Sequence, residues 1–304
     1  MLPKSVIALL SFLFLGLVAF ATEGRFSPAP AREAQFSKTG TLEQIIPGHY
    51  AYSSNNFISG VIVTTEGVVV IDALGDEATA KDERKQIASI IKQPVRYLIS
   101  STFHDNYTIG NLAYQDAIRI GHENYNADLV DLMKNDVPAA QQQARLPHLT
   151  YRDHMTLHLG GKEIQILHIG RAHTRGDSIV FVPQDRIVYL SELLFYDRFP
   201  WMNDGYVNWI NAIDIALNLD ADIFVPAHGK MPGDPKQSRQ ALIRARQILV
   251  DARDAVEKEI ARGATEDETV SRVLLAQYKD LSGYQQQREV VVRRTYQDLK
   301  GMLP

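Results

Sequence analysis

Three histidines each stand just after an apolar run that predicts a β-strand, and this repeated placement restricts the folds open to the chain. His104 follows "VRYLIS", His173 follows "EIQILHI", and His228 lies in "FVPAHG". Strand ends are where α/β folds gather their chemistry. Because neutral imidazole binds zinc, iron, copper and nickel, three histidines that converge would form a metal site. Spacing alone also allows three unrelated loop histidines, each with its own hydrogen bonds.

Hairpins and helices alternate around these histidines. The stretch "NNFISGVIVTTEGVVVIDA" holds two β-rich runs joined by residues 65–67, which is a hairpin signal. Ile87, Ile90 and Ile91 then have helical spacing. Two more hairpins follow, one turning at residues 160–161, before the amphipathic helix "NWINAIDIALNL" and the short strand "ADIFV". The sequence therefore predicts a β-rich fold in which hairpin-then-helix occurs twice.

Two segments have a different character. Residues 121–155 are helical and polar without a strong apolar stripe, which indicates an insertion near the site that could act as a lid. The chain after Lys236 is predicted to be helical, with a stop at Gly263 and a capping box over residues 265–268. A further helix is expected after residues 282–283.

The N-terminus predicts export. Lys4 precedes an apolar stretch from Val6 to Ala21 that ends in "AFA", so residues 1–21 resemble a cleaved signal peptide, followed by a flexible lead-in over residues 22–41. We therefore expect a periplasmic or secreted protein that is free of the membrane after cleavage. The net charge is -4 and there is no basic run, which argues against a nucleic-acid partner.

Three motifs together resemble the metallo-β-lactamase superfamily. They are "GRAHTRGDSIVFVP", "PAHG" and the early hairpin, and the resemblance spans residues 55–229. It implies an α+β fold: a four-layer αββα sandwich over residues 42–235, with a C-terminal helical extension over residues 236–304. Members of this superfamily usually bind two zinc ions and hydrolyse esters, amides or thioesters.

The main ligand motif departs from the family pattern H-x-H-x-D-H. The "IGN" that follows fixes the register of the comparison. By resemblance, Thr102 then occupies the position of the first histidine, Asn106 that of the aspartate and Tyr107 that of the last histidine. Only His104 is kept. A threonine hydroxyl is a poor zinc ligand, an amide cannot act as a base, and a phenol has a pKa near 10. An ordinary dinuclear zinc centre is therefore not expected.

The remaining positions of the family's ligand set are filled. By resemblance, His173 matches a ligand of the first metal, His228 matches the last ligand of the second, and Glu192 falls where the family has a bridging aspartate after glycine. Ser191 replaces that glycine. Asp72, at the end of the early hairpin, is expected to orient the ligand loop.

Two functional hypotheses follow. The first is an exported enzyme of hydrolase type with one divalent ion, zinc or iron, held by His104, His173, Glu192 and His228. In that enzyme Glu192 and Tyr107 are the catalytic residues, and the Tyr107 hydroxyl donates to the developing oxyanion. The second hypothesis is a non-catalytic relative whose pocket binds a small molecule or a protein partner without metal.

Overall fold

The described part of the chain comprises residues 39–201, 207–231 and 234–303, taken from a computed structural model. The predicted signal peptide and residues 22–38 of the predicted lead-in lie outside these ranges, while Thr41 already begins the first strand. No helix among the described residues combines the length and the apolar character needed to span a bilayer.

Two β-sheets form the centre of the described structure. The larger sheet has the strand order β1-β2-β3-β4-β5-β6-β7, antiparallel from β1 to β4 and parallel from β4 to β7. Its strands are β1 (Thr41–Ile46), β2 (His49–Ser54), β3 (Phe57–Val63), β4 (Val68–Ile71), β5 (Val95–Ser100), β6 (Ile118–His122) and β7 (Leu149–Tyr151).

The smaller sheet has the order β12-β11-β10-β9-β8, in which only β11 and β12 are parallel. Its strands are β8 (His154–Leu159), β9 (Lys162–His168), β10 (Ser178–Val182), β11 (Ile187–Tyr189) and β12 (Ile223–Val225). The α-helices are α1 (Glu77–Ile90), α2 (Asp105–Thr108), α3 (Glu123–Met133), α4 (Ala139–Arg145), α5 (Val207–Asn218), α6 (Ser238–Ala261), α7 (Glu266–Arg272) and α8 (Tyr284–Leu299).

Three apolar cores separate four layers. Side chains of both sheets, such as Ile62 and Val180, form the core between them. Ile87 of α1 packs with Val70 on the outer face of the larger sheet. The smaller sheet is covered by α5, α6 and α8 in a third core. The predicted α+β sandwich is thereby confirmed, with the C-terminal helices forming part of its outer layer.

Local signals in the sequence produced the expected local structures. The early hairpin pairs Val63 with Val68, and the turn at residues 160–161 has positive φ angles, where glycine is unstrained. At the start of α7 the Thr265 side chain accepts a hydrogen bond from the Glu268 amide, and the Glu268 side chain accepts one from the Thr265 amide. The predicted capping box is therefore confirmed. Gly263, at φ 79°, follows the end of α6 as predicted.

The segment 121–155 corrects a sequence-based expectation. It is not a purely helical segment, because it includes the end of β6 and all of β7, two paired strands of the larger sheet on either side of α3 and α4. Its helix α3 also has an apolar stripe at spacing i, i+4, i+8, formed by the fully buried Tyr125, Leu129 and Met133. The two helices therefore connect parallel strands, and α4 ends beside the loop that carries His104.

Candidate metal centre

Glu192 is the residue on which the candidate site converges. It lies in the turn Ser191–Leu193 that follows β11, and its side chain is 3% exposed. Its Oε2 accepts a hydrogen bond from the Thr102 hydroxyl at 2.9 Å and also hydrogen-bonds Nδ1 of His104. Nε2 of His173 lies 3.4 Å from the same oxygen, and Nε2 of His228 lies 3.1 Å from Oε1. All three predicted histidines thus surround one carboxylate.

Strand ends of both sheets bring these side chains together. His104 follows β5 of the larger sheet, whereas His173 follows β9 of the smaller sheet. Two backbone hydrogen bonds join the loops: the Ser178 amide donates to the Ser101 carbonyl at 3.1 Å, and the Ala227 amide donates to the Ser191 carbonyl at 3.2 Å. The site therefore lies along the edge where the two sheets meet.

Two residues beside the ligands have left-handed backbone. Ser191 has φ 53°, a conformation that glycine adopts without strain, so the glycine usual at this position in the family has a physical reason. Asp72, at φ 61°, accepts a hydrogen bond from the Ser101 amide at 2.8 Å and contacts the Ser101 hydroxyl. Ser101 in turn contacts the Ser191 hydroxyl. Asp72 thus braces the end of β5, just before the loop that carries His104.

The protonation states of His173 and Glu192 favour the binding of a cation. Burial lowers the pKa of His173 to about 3, so its imidazole is neutral and can offer a lone pair. Burial would raise the pKa of Glu192, but His104, the closest imidazole, offsets this and the pKa lies well below its usual range. The centre therefore presents the anionic carboxylate of Glu192 beside the neutral imidazole of His173.

Comparison with known proteins identifies the family. The family model of the metallo-beta-lactamase superfamily matches residues 59–228, which include all four candidate ligands. The chain belongs to this superfamily.

Individual relatives within the superfamily are distant. A linear primary-alkylsulfatase of Pseudomonas sp. (strain ATCC 19151) is 19% identical over 74% of this chain and 51% of its own length. A metallo-beta-lactamase type 2 of Elizabethkingia meningoseptica is 26% identical over 48% of this chain and 59% of its own. The alpha subunit of a 2,4-dinitroanisole O-demethylase of Nocardioides sp. (strain JS1661) is 23% identical over 66% and 60%. The chain thus spans about half to three fifths of these relatives.

Solved structures support the same fold. The sec-alkylsulfatase Pisa1 of Pseudomonas sp. aligns with a TM-score of 0.68 at 14% identity, over 85% of this chain and 50% of that protein. A metallo-beta-lactamase of Pontibacter korlensis aligns with a TM-score of 0.58 at 19% identity, over 68% of this chain and 99% of that protein. At these identities the likeness establishes the fold alone.

Metals are typical of the superfamily, and three residues of this chain fit one. Donor atoms of His104, His173 and Glu192 all lie within 4.8 Å of one another. Two ligands of a tetrahedral zinc at ~2.0–2.1 Å lie roughly 3.3 Å apart, close to the 3.4 Å between His173 Nε2 and Glu192 Oε2. Two imidazoles and one carboxylate also form a ligand set that suits iron.

Thr102 and Tyr107, which the sequence analysis aligned with two histidines of the superfamily motif, make specific contacts. Thr102 is fully buried, and its hydroxyl donates to the same Glu192 oxygen that faces His104 and His173. Tyr107 is also fully buried, and its hydroxyl donates to the Ala227 carbonyl at 2.8 Å and lies 3.2 Å from Nε2 of His228. Both side chains therefore place hydrogen-bonding groups against the cluster, Thr102 beside Glu192 and Tyr107 beside His228.

Tyr107 therefore has a different role in the structure from the predicted catalytic one. Burial, followed by the charges of Glu192 and Asp72, raises the pKa of Tyr107 well above 10, so the phenol stays neutral. Its proton already bonds the Ala227 carbonyl, and it has no exposed surface from which to reach an oxyanion. The geometry makes Tyr107 an anchor for the loop that carries His228.

Aromatic rings enclose the cluster on most sides. Phe195 stacks on His228 with ring centroids 4.4 Å apart, Trp209 meets His173 edge-on at 5.3 Å, and Phe103 lies 4.7 Å from His104. His104 and His228 keep 14% and 10% of their side chains exposed, while His173 and Glu192 are almost fully buried. A substrate would therefore approach from the side of His104 and His228.

Sequence reasoning missed one residue near the site. Arg145, at the end of α4, is 4% exposed and donates to the carboxylate of Asp105, the residue after His104. A buried arginine in a polar helix gives no local signal, since surface arginines look the same in sequence.

Proposed function

We propose that this protein is an exported hydrolase that uses a single divalent ion, zinc or iron, held by His104, His173 and Glu192, with His228 as the fourth ligand. One observation carries the proposal: donor atoms of His104, His173 and Glu192 lie within 4.8 Å of one another at the edge between the sheets. Nε2 of His228 adds a fourth donor 3.1 Å from the same carboxylate.

The chemistry of the surrounding residues favours one ion over two. The superfamily's second metal loses a histidine to Tyr107, whose phenol keeps its proton, and a carboxylate to Asn106. Glu192 supplies the only carboxylate that contacts the three histidines among the described residues. Catalytic zinc sites need three protein ligands, and the part of the chain that the structure describes provides one such group.

Roles at the site follow from which histidines lie beside each oxygen of Glu192. A divalent ion bound there would supply Lewis-acid polarisation of a scissile group and of water. Oε2 of Glu192 faces His104 and His173, so Oε1, beside His228, is the oxygen placed to accept a proton from attacking water. His228, whose side chain is 10% exposed, lies with its Nε2 3.1 Å from this oxygen. Trp209 and Phe195 exclude water from the far side of the cluster.

The substrate is proposed only as a class. The relatives include an alkylsulfatase, a β-lactamase and an O-demethylase, whose names indicate different substrates. The chain spans only part of each relative, so no individual substrate carries over to it. We take from the relatives only a general class, a small molecule with a bond that activated water can cleave. We propose an ester or amide as the substrate class.

Metal analysis of the purified mature protein tests this proposal. We expect about one equivalent of zinc or iron after metal-replete expression, and its loss in His173→Ala. His158→Ala is a matched control, because His158 is an exposed histidine on β8. Near-zero metal in the unmodified protein would overturn the proposal, as would two equivalents that both survive His173→Ala.

A non-catalytic relative is the second candidate, and one observation favours it. Both oxygens of Glu192 already have hydrogen-bonding partners in Thr102, His104 and His228, so the carboxylate is satisfied by the protein alone. This candidate predicts a well-folded protein without bound metal whose thermal stability does not respond to added zinc.

Export is a separate part of the proposal. It rests on the apolar N-terminal stretch and its "AFA" end. N-terminal sequencing of protein from the periplasmic or extracellular fraction should begin near Thr22. An intact N-terminus in the cytosolic fraction would contradict export without affecting the metal site.

A further inference from the structure

We propose that Arg145 is a positioning residue of the metal centre, which fixes the turn that carries His104 and thereby sets the affinity of the site for a divalent ion. This inference rests on the proposed function, because it concerns the same metal centre. It also assigns a specific role to α4, which belongs to the segment that the sequence analysis predicted to lie near the site.

The guanidinium of Arg145 contacts the His104 turn at two points. Its NH2 group donates to Oδ1 of Asp105 and to the hydroxyl oxygen of Thr108, each at 2.5 Å. The Thr108 hydroxyl donates in turn to the backbone carbonyl of His104 at 3.1 Å. Arg145 thus bonds the residue after His104 and also, through Thr108, the carbonyl of His104 itself.

The backbone of Arg145 holds the far end of the same loop. Its carbonyl accepts a hydrogen bond from Nδ2 of Asn111 at 2.9 Å, and that amide also donates to the Ser100 hydroxyl at 3.2 Å. Ser100 ends β5 and Asn111 lies beyond α2, so these bonds enclose the whole ligand turn. One residue of α4 therefore contacts the turn through both its side chain and its backbone.

The burial of Arg145 strengthens the constraint that these contacts place on the turn. The Arg145 side chain is 4% exposed, whereas Asp105 is 31% exposed. A buried guanidinium that lacks a carboxylate would retain an uncompensated charge, so this pair constrains its neighbours more strongly than a surface pair would. Groups that orient a metal ligand typically change metal affinity by 10–100-fold when they are replaced.

A matched arginine allows the positioning role to be separated from general stability. Arg119, on β6, is 3% exposed and donates to the carbonyls of Leu146 and Gln143, so it holds the same helix end. Among the described residues, its side-chain hydrogen bonds go to this helix end and to His148, not to the His104 turn. Arg119→Lys should loosen α4 to a similar degree as Arg145→Lys while leaving the contacts to Asp105 and Thr108 in place.

The test measures zinc affinity of the full mature protein by chelator competition, together with the visible spectrum of the Co²⁺-loaded form. We expect about one equivalent of zinc in the unmodified protein, a Kd raised about 10–100-fold in Arg145→Lys with an altered Co²⁺ spectrum, and changes within about threefold in Arg119→Lys. Thr108→Val removes the hydroxyl that bonds the His104 carbonyl, and we expect a smaller rise of about 3–10-fold.

The possible failures are distinguishable. If the unmodified protein binds no zinc, the proposed function fails and this inference fails with it. If it binds one equivalent but Arg145→Lys and Thr108→Val leave the Kd and the spectrum unchanged, only the positioning role is overturned. Equal changes in Arg119→Lys would also overturn it, because the effect would then come from α4 as a whole. Should Arg145→Lys fail to fold, Thr108→Val decides.

Discussion

Glu192 and Glu83 are both buried carboxylates, yet the structure gives them opposite charge states. Glu83, on α1, is fully buried, and burial raises its pKa to about 8. Glu192 is equally enclosed, but its pKa lies well below the usual range because His104 offsets the effect of burial. Burial therefore does not decide whether a carboxylate in this protein is charged.

The neighbours account for the difference. Glu83 is bonded by the hydroxyls of Ser59 and Tyr114, the latter at 2.8 Å, and these groups lower its pKa less than burial raises it. Glu192 is bonded by one hydroxyl, that of Thr102, and faces three imidazoles. A metal ion needs an anionic ligand, so the imidazoles make Glu192 suitable as a ligand, whereas Glu83 is suited to a structural role.

The largest expected effect comes from removing the charge of Glu192. Glu192→Gln should lose bound metal almost completely and lower hydrolytic activity at least about 100-fold, because the one anionic group of the four proposed ligands becomes neutral. Glu83→Gln is the matched control and should keep its metal. Elemental analysis of both variants makes the comparison, and equal metal content would show that Glu192 is not a ligand.

Glu83 should instead control how stability depends on pH. Its pKa is about 8 folded against a reference value of 4.5, so the folded state keeps a proton that the unfolded state releases. Stability therefore falls as the pH rises from about 4.5 to about 8, by up to about 5 kcal/mol from this group.

Glu83→Gln should remove that part of the pH dependence, as measured by denaturant unfolding at pH 5 and pH 9. Asp72 and Asp177 also have raised pKa values, about 7 and about 8, so some dependence will remain. A pH profile identical to that of the unmodified protein would contradict the raised pKa of Glu83.

Tyr114→Phe removes one hydroxyl from Glu83. We expect a loss of about 1–3 kcal/mol in the free energy of unfolding at pH 9, where the carboxylate is ionised and its Oε2 would lose the Tyr114 donor, and a smaller loss at pH 5. Metal content should not change. Equal losses at both pH values would indicate that the hydroxyl does not stabilise the charged form.

Tyr107→Phe is the corresponding change beside the metal centre and should have the smallest effect. Ala227 would keep its hydrogen bond from the Ile58 amide at 2.8 Å, so the expected loss is about 0.5–1.5 kcal/mol in the free energy of unfolding. With any substrate that the enzyme turns over, kcat should stay within about threefold. A decrease of 100-fold or more with normal metal content would restore the predicted oxyanion role of Tyr107.

Sequence patterns predicted those parts of the fold that local interactions determine. The hairpin at β3 and β4 and the capping box at Thr265 each depend on residues close together in the chain, and both are confirmed. The strands β6 and β7 were missed because β7 has only three residues and gains its hydrogen bonds from β6, some thirty residues earlier. Pairing between distant segments leaves no periodic signal in so short a run.

The candidate site was likewise predictable from the sequence only in part. Strand-end placement and the family motif pointed to His104, His173, Glu192 and His228, and the structure places the three histidines around the Glu192 carboxylate. The contacts of Tyr107 with Ala227, 120 residues away, and of Arg145 with Asp105, 40 residues away, depend on tertiary packing. Residue identity alone therefore gave Tyr107 a catalytic role that its surroundings do not support.

The position of the ligands on both sheets has a consequence for how the protein would unfold. His104 belongs to the larger sheet, while His173, Glu192 and His228 follow strands of the smaller one. An ion bound by all of them would crosslink the two sheets, so they could not separate without releasing it. Each tenfold excess of free ion over its Kd would then add about 1.4 kcal/mol to the free energy of unfolding, and the melting temperature would rise with metal concentration.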